Sequence, residues 1–146
     1  MEILRISNDR TLRELGGAIL RYQPPSGSLP ERRFKWLLAA ALMHVGMFLK
    51  DGVVLLVFGE HELPGLPYRL DYAVEFGGEV IGFEIDGLAF HGDQGAFARD
   101  RKRDRDLALG GVETYRYTAN EITYQWPAVQ DELRDILFGL VGDSLA

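Results

Sequence analysis

Apolar and polar side chains alternate most regularly near the middle of the chain. From residue 68 to residue 76 an apolar residue stands at every second position, a period of two that indicates a β-strand. The pair Gly77-Gly78 follows directly and is typical of a two-residue hairpin turn. A second strand is predicted from Glu79 to Asp86, so the pattern predicts a β-hairpin.

The hairpin turn fixes which residues of the two strands face each other. Its register places Asp71 opposite Glu84, and Arg69 opposite Asp86. Opposed residues share a face of the hairpin, with Cβ atoms about 4.5–5.5 Å apart. Two carboxylates that close repel each other unless a proton or cation lies between them, and their oxygens suit a divalent metal. The alternative is that these acids are solvated on the wet face of the hairpin.

Before the hairpin the pattern predicts helices and one apolar strand. Residues 1–6 form a short strand or extended arm, and a helix capped by Ser7 or Asn8 ends near Tyr22. A second helix begins at Ser28 and Pro30. Its predicted core stripe is Phe34, Leu37, Leu38, Ala41, Leu42, Val45 and Phe48. The apolar run 52–58 predicts a strand inside the sheet, and residues 59–67 predict a loop.

After the hairpin we expect a helix from Ala96 to Leu109, a strand from Val112 to Thr118 and, beyond a short turn capped by Asn120, a final helix from Pro127. This order predicts an α/β structure with a mixed central sheet flanked by helices. At 146 residues the chain is expected to form one domain, 1–146. Its parts would be an N-terminal helical arm (1–29), a core (30–125) and a C-terminal helix (126–146).

Composition narrows the function classes. The chain has no cysteine, which excludes disulfides, zinc-thiolate sites and a cysteine nucleophile, and which favours a cytoplasmic location. Its longest uncharged run, residues 36–49, is too short to cross a membrane, so no membrane association is expected. The net charge of −6 alone argues against nucleic acid as a partner.

The distribution of charge changes that conclusion. Residues 1–50 carry eight basic and four acidic side chains, whereas residues 51–105 carry six basic and eleven acidic ones. An acidic centre beside basic elements suits a site that binds a cation and a polyanion together. The helix after the hairpin is itself strongly basic, with Arg99, Arg101, Lys102, Arg103 and Arg105. It predicts either phosphate binding or, because aspartates are interleaved, a self-paired solvated helix.

Taken together, the order and spacing of these side chains resemble the restriction-endonuclease-like PD-(D/E)xK nucleases, in particular the DUF559 and very-short-patch-repair (Vsr-like) endonucleases. That pattern has a helical Glu, a hairpin Asp, E-x-D-G, a His, a helical D-x-x-R with a Leu, and a Gly before an Arg-containing strand. The matching residues are Glu31, Asp71, Glu84, Asp86, Gly87, His91, Asp100, Arg103, Leu107, Gly111 and Arg116. The resemblance covers residues 31–124 and implies an αβββαβ core.

The resemblance also implies an activity, which is Mg²⁺- or Mn²⁺-dependent cleavage of DNA. The metal ligands would be Asp71, Glu84 and Asp86, with Glu31 beside them. His91 would act as general base or orient the attacking water. The residues implied to contact DNA are Arg99, Lys102, Arg103 and Arg116. Double-strand cleavage would require two active sites, and thus a homodimer or a partner protein, which the sequence leaves open.

The chain departs from the family pattern in two ways. The lysine two residues after the second acid is replaced by Asp86, a usual substitution in this group, with His91 as its stand-in. The proline of the PD motif is not adjacent to Asp71. Two alternatives therefore remain: an inactive nuclease-fold module that binds nucleic acid or regulates a partner, and a metal-dependent enzyme acting on a nucleotide-sugar. For Arg103, pairing with Asp100 is an equally open role.

Overall fold

The computed structural model describes residues 2–6, 18, 21–24, 27–86 and 94–145. Most of the helix predicted up to Tyr22 therefore lies outside the described residues. The same holds for Gly87 and His91, which fall in the range 87–93.

A five-stranded mixed sheet forms the centre of the described fold, with the strands in chain order across it. The first four strands pair with one another in antiparallel order, and the fifth strand runs parallel to the fourth. The bounds are β1 Glu2–Ile6, β2 Leu55–Glu62, β3 Arg69–Phe76, β4 Glu79–Asp86 and β5 Val112–Thr118. The predicted mixed α/β sheet with flanking helices is confirmed.

Helices cover both faces of this sheet. Their bounds are α1 Leu29–Gly46, α2 Gln94–Leu109, α3 Ala119–Tyr124 and α4 Trp126–Val141, followed by a 3-10 turn at Gly142–Ser144. On one face, α1 and α4 bury a large core that includes Phe34, Tyr72 and Phe83. On the other, Leu107 of α2 packs with Leu70. No helix in the described ranges is long and apolar enough to cross a membrane.

Local sequence signals explain where α1 begins and ends. The Ser28 hydroxyl accepts a hydrogen bond from the Glu31 backbone N–H at 3.3 Å, and proline occupies the first turn. Six of the seven residues predicted for its core stripe are buried. Phe48 is the exception: the helix ends at Gly46, and Phe48 beyond it is 43% exposed.

The predicted hairpin register is confirmed from Phe76↔Glu79 to Tyr72↔Phe83, but the predicted pairs Asp71–Glu84 and Arg69–Asp86 do not form, because the regular ladder ends at Tyr72. Both turn glycines have positive φ, as a two-residue hairpin turn of this kind requires. The predicted loop 59–67 is wrong in its first part, because β2 continues to Glu62 and pairs with β3. The predicted cap at Asn120 is wrong, because Thr118 caps α3 and forms a capping box with Glu121.

Candidate functional site

Asp71 lies where the β2–β3–β4 ladders become irregular. The recorded β3–β4 pairs end at Tyr72, and beyond them the Asp71 carboxylate accepts a hydrogen bond from the Ile85 backbone N–H at 2.9 Å. On the other side, Glu60 has φ +44°, and the ladder pairs around it place it across from Asp71. The end of the β3–β4 ladder at Asp71 and the positive φ of Glu60 both change the direction of these side chains, as strand irregularities near functional sites commonly do.

The break in β3 is visible in how its side chains pack. Leu70 and Ala73 belong to the same apolar cluster under α2. In an unbroken strand, residues three apart point to opposite faces. The irregularity at Asp71 therefore turns this side chain out of the hairpin's regular alternation and towards α1.

Asp71 opens into a cavity of about 200 Å³, here called the carboxylate pocket. It is lined by Tyr22, Pro24, Glu31, Glu60, Asp71, Tyr72 and Ile85. Glu60 forms an ion pair with Arg69 at 3.2 Å. Within the described residues, neither Asp71 nor Glu31 contacts a cationic side chain. The pocket thus gathers three acids, of which two lack a cation.

Electrostatics in the carboxylate pocket disfavour negative charge. The pKa of Asp71 is raised to about 6, mainly by desolvation and to a smaller extent by the Glu84 and Glu31 charges, while the Ile85 hydrogen bond and the Arg103 charge oppose the rise. Burial also raises the pKa of Tyr72, whose hydroxyl has no hydrogen-bond partner among the described residues. A buried polar group of this kind points to a missing partner.

Glu84 has a different environment, although it lies at the same end of the hairpin. It is 6% exposed, and both of its carboxylate oxygens accept hydrogen bonds from the guanidinium of Arg103 on α2. Arg103 also donates to the Arg69 carbonyl at 3.0 Å. The hydrogen bonds to Glu84 raise the pKa of Arg103. This fork geometry fixes the orientation of the Glu84 carboxylate.

Arg116 forms ion pairs with three aspartates. The parallel register places it beside Glu84, whose Oε2 lies 3.9 Å from Arg116 Nε. Its Nη atoms contact Asp86 at 3.0 Å, Asp100 at 2.6 Å and Asp104 at 3.1 Å. Burial alone would lower the pKa of Arg116, but the hydrogen bonds to Asp100 and Asp86 outweigh it and raise the pKa. We call Glu84, Asp86, Asp100, Asp104, Arg103 and Arg116 the arginine network.

The predicted site residues therefore fall into two groups. Glu31 and Asp71 meet in the carboxylate pocket, and Glu84 and Asp86 belong to the arginine network. His91 lies outside the described residues. Over the described part of the chain, no three acidic or histidine side chains converge tightly enough to enclose a metal ion by themselves.

The predicted phosphate-binding residues also divide. Arg99 is exposed on α2, whereas Lys102 pairs with Asp106 at 2.8 Å. Arg103 and Arg116 are largely buried partners of acids, and Asp100 binds Arg116 rather than Arg103. Part of α2 is thus self-paired, as the interleaved aspartates suggested.

Three lining residues of the carboxylate pocket were not singled out by the sequence pattern. The sequence pattern predicts a loop at Glu60, whereas the β2–β3 pairing continues through Gly59 and places Glu60 opposite Asp71. Gly59 is needed there, because a Cβ would lie 2.4 Å from the Tyr22 ring. Tyr72 was identified only as a strand residue, and Tyr22 only as the end of a helix.

Comparison of the chain with protein-family models, with curated proteins and with solved structures finds no match.

Proposed function

We propose that this protein is a metal-dependent endonuclease that hydrolyses phosphodiester bonds in DNA. The observation that carries the proposal is the environment of Asp71. Its carboxylate shares a pocket with Glu31 and contacts no cationic side chain in the described structure. Asp71 and Glu84 each directly adjoin the last recorded β3–β4 pair, Tyr72↔Phe83. A carboxylate held in this way is typical of a cation-binding site.

The element order supports the nuclease core implied by the resemblance. The succession α1, β2, β3, β4, α2, β5 agrees with the αβββαβ order of restriction-endonuclease-like proteins. The candidate site carboxylates lie at one end of the β3–β4 hairpin, and α2 places basic side chains at the same end of these strands. Because one fold can host many functions, this element order supports the core and does not by itself indicate the activity.

The carboxylate oxygens of this donor set are the ligand type that Mg²⁺ and Mn²⁺ prefer. Mg²⁺ is often held by one or two carboxylates, with water and substrate phosphate completing the shell, so a cage of protein ligands is not required. Asp71 would bind directly. Each Glu84 oxygen retains a lone pair after accepting from Arg103. Glu31 would lie beside Asp71 on the α1 side, and Asp86 would lie beside Glu84 on the α2 side.

In this proposal the bound cation would supply positive charge at the scissile phosphate and lower the pKa of the attacking water. The chain's own residues position the reactants. Arg103 holds the Glu84 carboxylate in one orientation, and Glu31 offers an acceptor for water on the α1 side of the pocket. His91 remains the general base that the resemblance implies, and exposed Arg99 remains a candidate for phosphate contact.

A plasmid-nicking assay tests this function. Supercoiled DNA incubated with the protein and Mg²⁺ or Mn²⁺ should be nicked, and EDTA should abolish nicking. Asp71→Asn should slow nicking by about a hundredfold or more, because the lost ligand contributes several kcal/mol of charge stabilisation. Asp131→Asn removes an exposed acid on α4 and should leave the rate unchanged. Equal rates for wild type and Asp71→Asn would contradict the proposal.

A second candidate is a nuclease-fold module that binds DNA without cleaving it. The pairing of Glu84 and Asp86 with Arg103 and Arg116 favours it, because arginines already neutralise these acids. Such a module would bind DNA with a steep salt dependence and give no nicking with either metal. The nicking assay and a salt titration of binding together separate the two functions.

A further inference from the structure

A second pocket lies beside the first two turns of α1 and has a composition opposite to that of the carboxylate pocket. It measures about 540 Å³ and is lined by Gln23, Leu29, Arg32, Arg33, Lys35 and Trp36. None of these described lining residues is acidic. We call it the Trp36 pocket, after the side chain that is 64% exposed in its wall.

Helical spacing brings its exposed side chains together. Leu29, Arg32, Arg33 and Trp36 are three or four residues apart, so they form one stripe along α1. Arg32 is exposed and makes no ion pair with the described residues. Arg33 donates to the Thr123 carbonyl at 2.9 Å, a neutral partner that fixes the guanidinium without cancelling its charge. The stripe thus offers an aromatic surface beside two cationic forks.

The two pockets share a wall. Buried Lys35 donates from Nζ to the Tyr22 carbonyl at 3.0 Å, which fastens the segment 21–24 to α1. Tyr22 and Pro24 line the carboxylate pocket, whereas Gln23 lines the Trp36 pocket. A ligand in the Trp36 pocket therefore lies next to the acids on which the proposed chemistry depends.

We propose that the Trp36 pocket binds unpaired nucleotides of single-stranded DNA. A base stacks on the Trp36 ring, and the neighbouring phosphates pair with Arg32 and Arg33. Indole faces accept any base, and guanidinium forks match phosphate oxygens. On a chain of net charge −6, a local group of cations without acids is the feature that a polyanion requires. The inference rests on the proposed nuclease function and specifies its substrate as DNA with an unpaired strand beside the scissile phosphate.

Binding of a labelled oligothymidylate of about ten nucleotides tests the inference. It is measured in EDTA, so that no cleavage occurs, by fluorescence anisotropy. Trp36→Ala should weaken binding by about fivefold or more, the effect of losing one stacked base. Arg32→Ala should weaken binding and flatten its salt dependence by about 0.7 in the log–log slope. Arg134→Ala, which removes a partly exposed arginine of α4, is the matched control and should bind like wild type.

Intrinsic fluorescence supplies a second readout. The chain has two tryptophans, so a Trp126→Phe background leaves Trp36 as the reporter. Oligothymidylate should quench it, because a stacked base contacts the indole directly. Unchanged Trp36 fluorescence at saturation would overturn the inference, as would wild-type affinity in both Trp36→Ala and Arg32→Ala.

Two competing ligands distinguish other occupants. A duplex of the same length should bind more weakly, because its bases are not free to stack. A poly-glutamate peptide of equal charge should also bind more weakly. Equal binding of either one overturns the inference, and equal binding of the peptide would assign the pocket to an acidic protein partner.

Failure of this inference and failure of the nuclease proposal give different results. Asp71→Asn should bind oligothymidylate like wild type while losing nicking. If wild type binds oligothymidylate through Trp36 but never nicks DNA, the nuclease proposal fails and the binding pocket remains. If Asp71 controls nicking and Trp36→Ala changes nothing, only the pocket assignment fails.

Discussion

The arginine network and the carboxylate pocket lie at the same end of the β3–β4 hairpin, and both are built around acids. In the network, which faces α2, the buried Glu84 carboxylate is gripped by Arg103, and Arg116 contacts three further acids. In the pocket, which faces α1, Asp71 and Glu31 have no cationic partner among the described residues.

The difference follows from how much water each group retains. Glu84 is 6% exposed, and a charge removed that far from water is tolerated only when it is paired and hydrogen-bonded. Asp71 is exposed as a residue, so water offsets part of the repulsion even though partial desolvation raises the pKa of its carboxyl. In the network, pairing thus offsets the cost of burying the acids, while its absence in the pocket leaves ligand positions open.

The largest expected effect comes from removing the centre of the network. Arg116→Met should lower the free energy of unfolding at pH 7 by about 3–5 kcal/mol, because it leaves partly buried acids uncompensated. Urea denaturation measures the change.

The matched control for this change is Arg134→Met. Arg134 pairs with Asp131 on α4, and both side chains are well exposed. Exposed pairs contribute about 0–1 kcal/mol, so this variant should remain close to wild type. Equal losses in the two variants would show that the arginine network is no more important than an ordinary surface pair, and the comparison would fail.

Much of the arrangement at this edge is encoded locally. A glycine pair whose φ angles are both positive allows one hairpin register, and that register brings Asp71 and Glu84 to the same end. The α1 helix is likewise set by its cap and by Pro30. Signals of this kind act over a few residues, which is why they can be recognised without a structure.

Pairing between distant elements is not encoded in that way. The five basic residues and the interleaved aspartates of α2 fit several ion-pair schemes. The packing of α2 against the sheet brings Arg103 to Glu84 and Asp100 to Arg116. The sequence pattern predicts a loop over residues 59–67, because this stretch holds two prolines and two glycines, of which Gly59 is the first. The tertiary reason for this glycine, close approach of the Tyr22 ring, appears only in the fold.

A smaller effect is expected from Asp71→Asn in the absence of metal. The pKa of Asp71 is raised from 3.8 to about 6, so the native state holds this proton more tightly than the unfolded chain. Stability therefore falls as the pH rises from about 4 to 6, and the loss persists above that range. The amide should recover about 1 kcal/mol at pH 7, after allowance for solvent screening, and nothing near pH 4.

Thermal or urea unfolding in EDTA at the two pH values measures this difference, with Asp131→Asn as control. Stabilisation at pH 7 together with loss of nicking would show that the acid is kept for function at a cost in stability. Destabilisation at pH 7 would mean that the Asp71 charge is compensated, which would remove the contrast with the arginine network.

The smallest effect should appear when Glu31 alone is neutralised. Desolvation is the main cause of the raised Asp71 pKa, and the Glu31 charge is one of the smaller ones. Glu31→Gln should therefore move the Asp71 pKa down from about 6 while leaving it above 3.8. Carboxyl ¹³C NMR titration follows Asp71 directly, and Glu79→Gln at the hairpin turn is the control.

The direction of that small shift decides whether the carboxylate pocket acts as one unit. A lowered Asp71 pKa in Glu31→Gln means that the Glu31 charge on α1 interacts with Asp71 on β3. A cation bound between Glu31 and Asp71 would then stabilise both carboxylates. An unchanged pKa would reduce the pocket to one desolvated aspartate. In that case Glu31 would be a first-turn acid stabilised by the α1 dipole, and a metal ligand set would have to be sought on the Glu84 side of the hairpin.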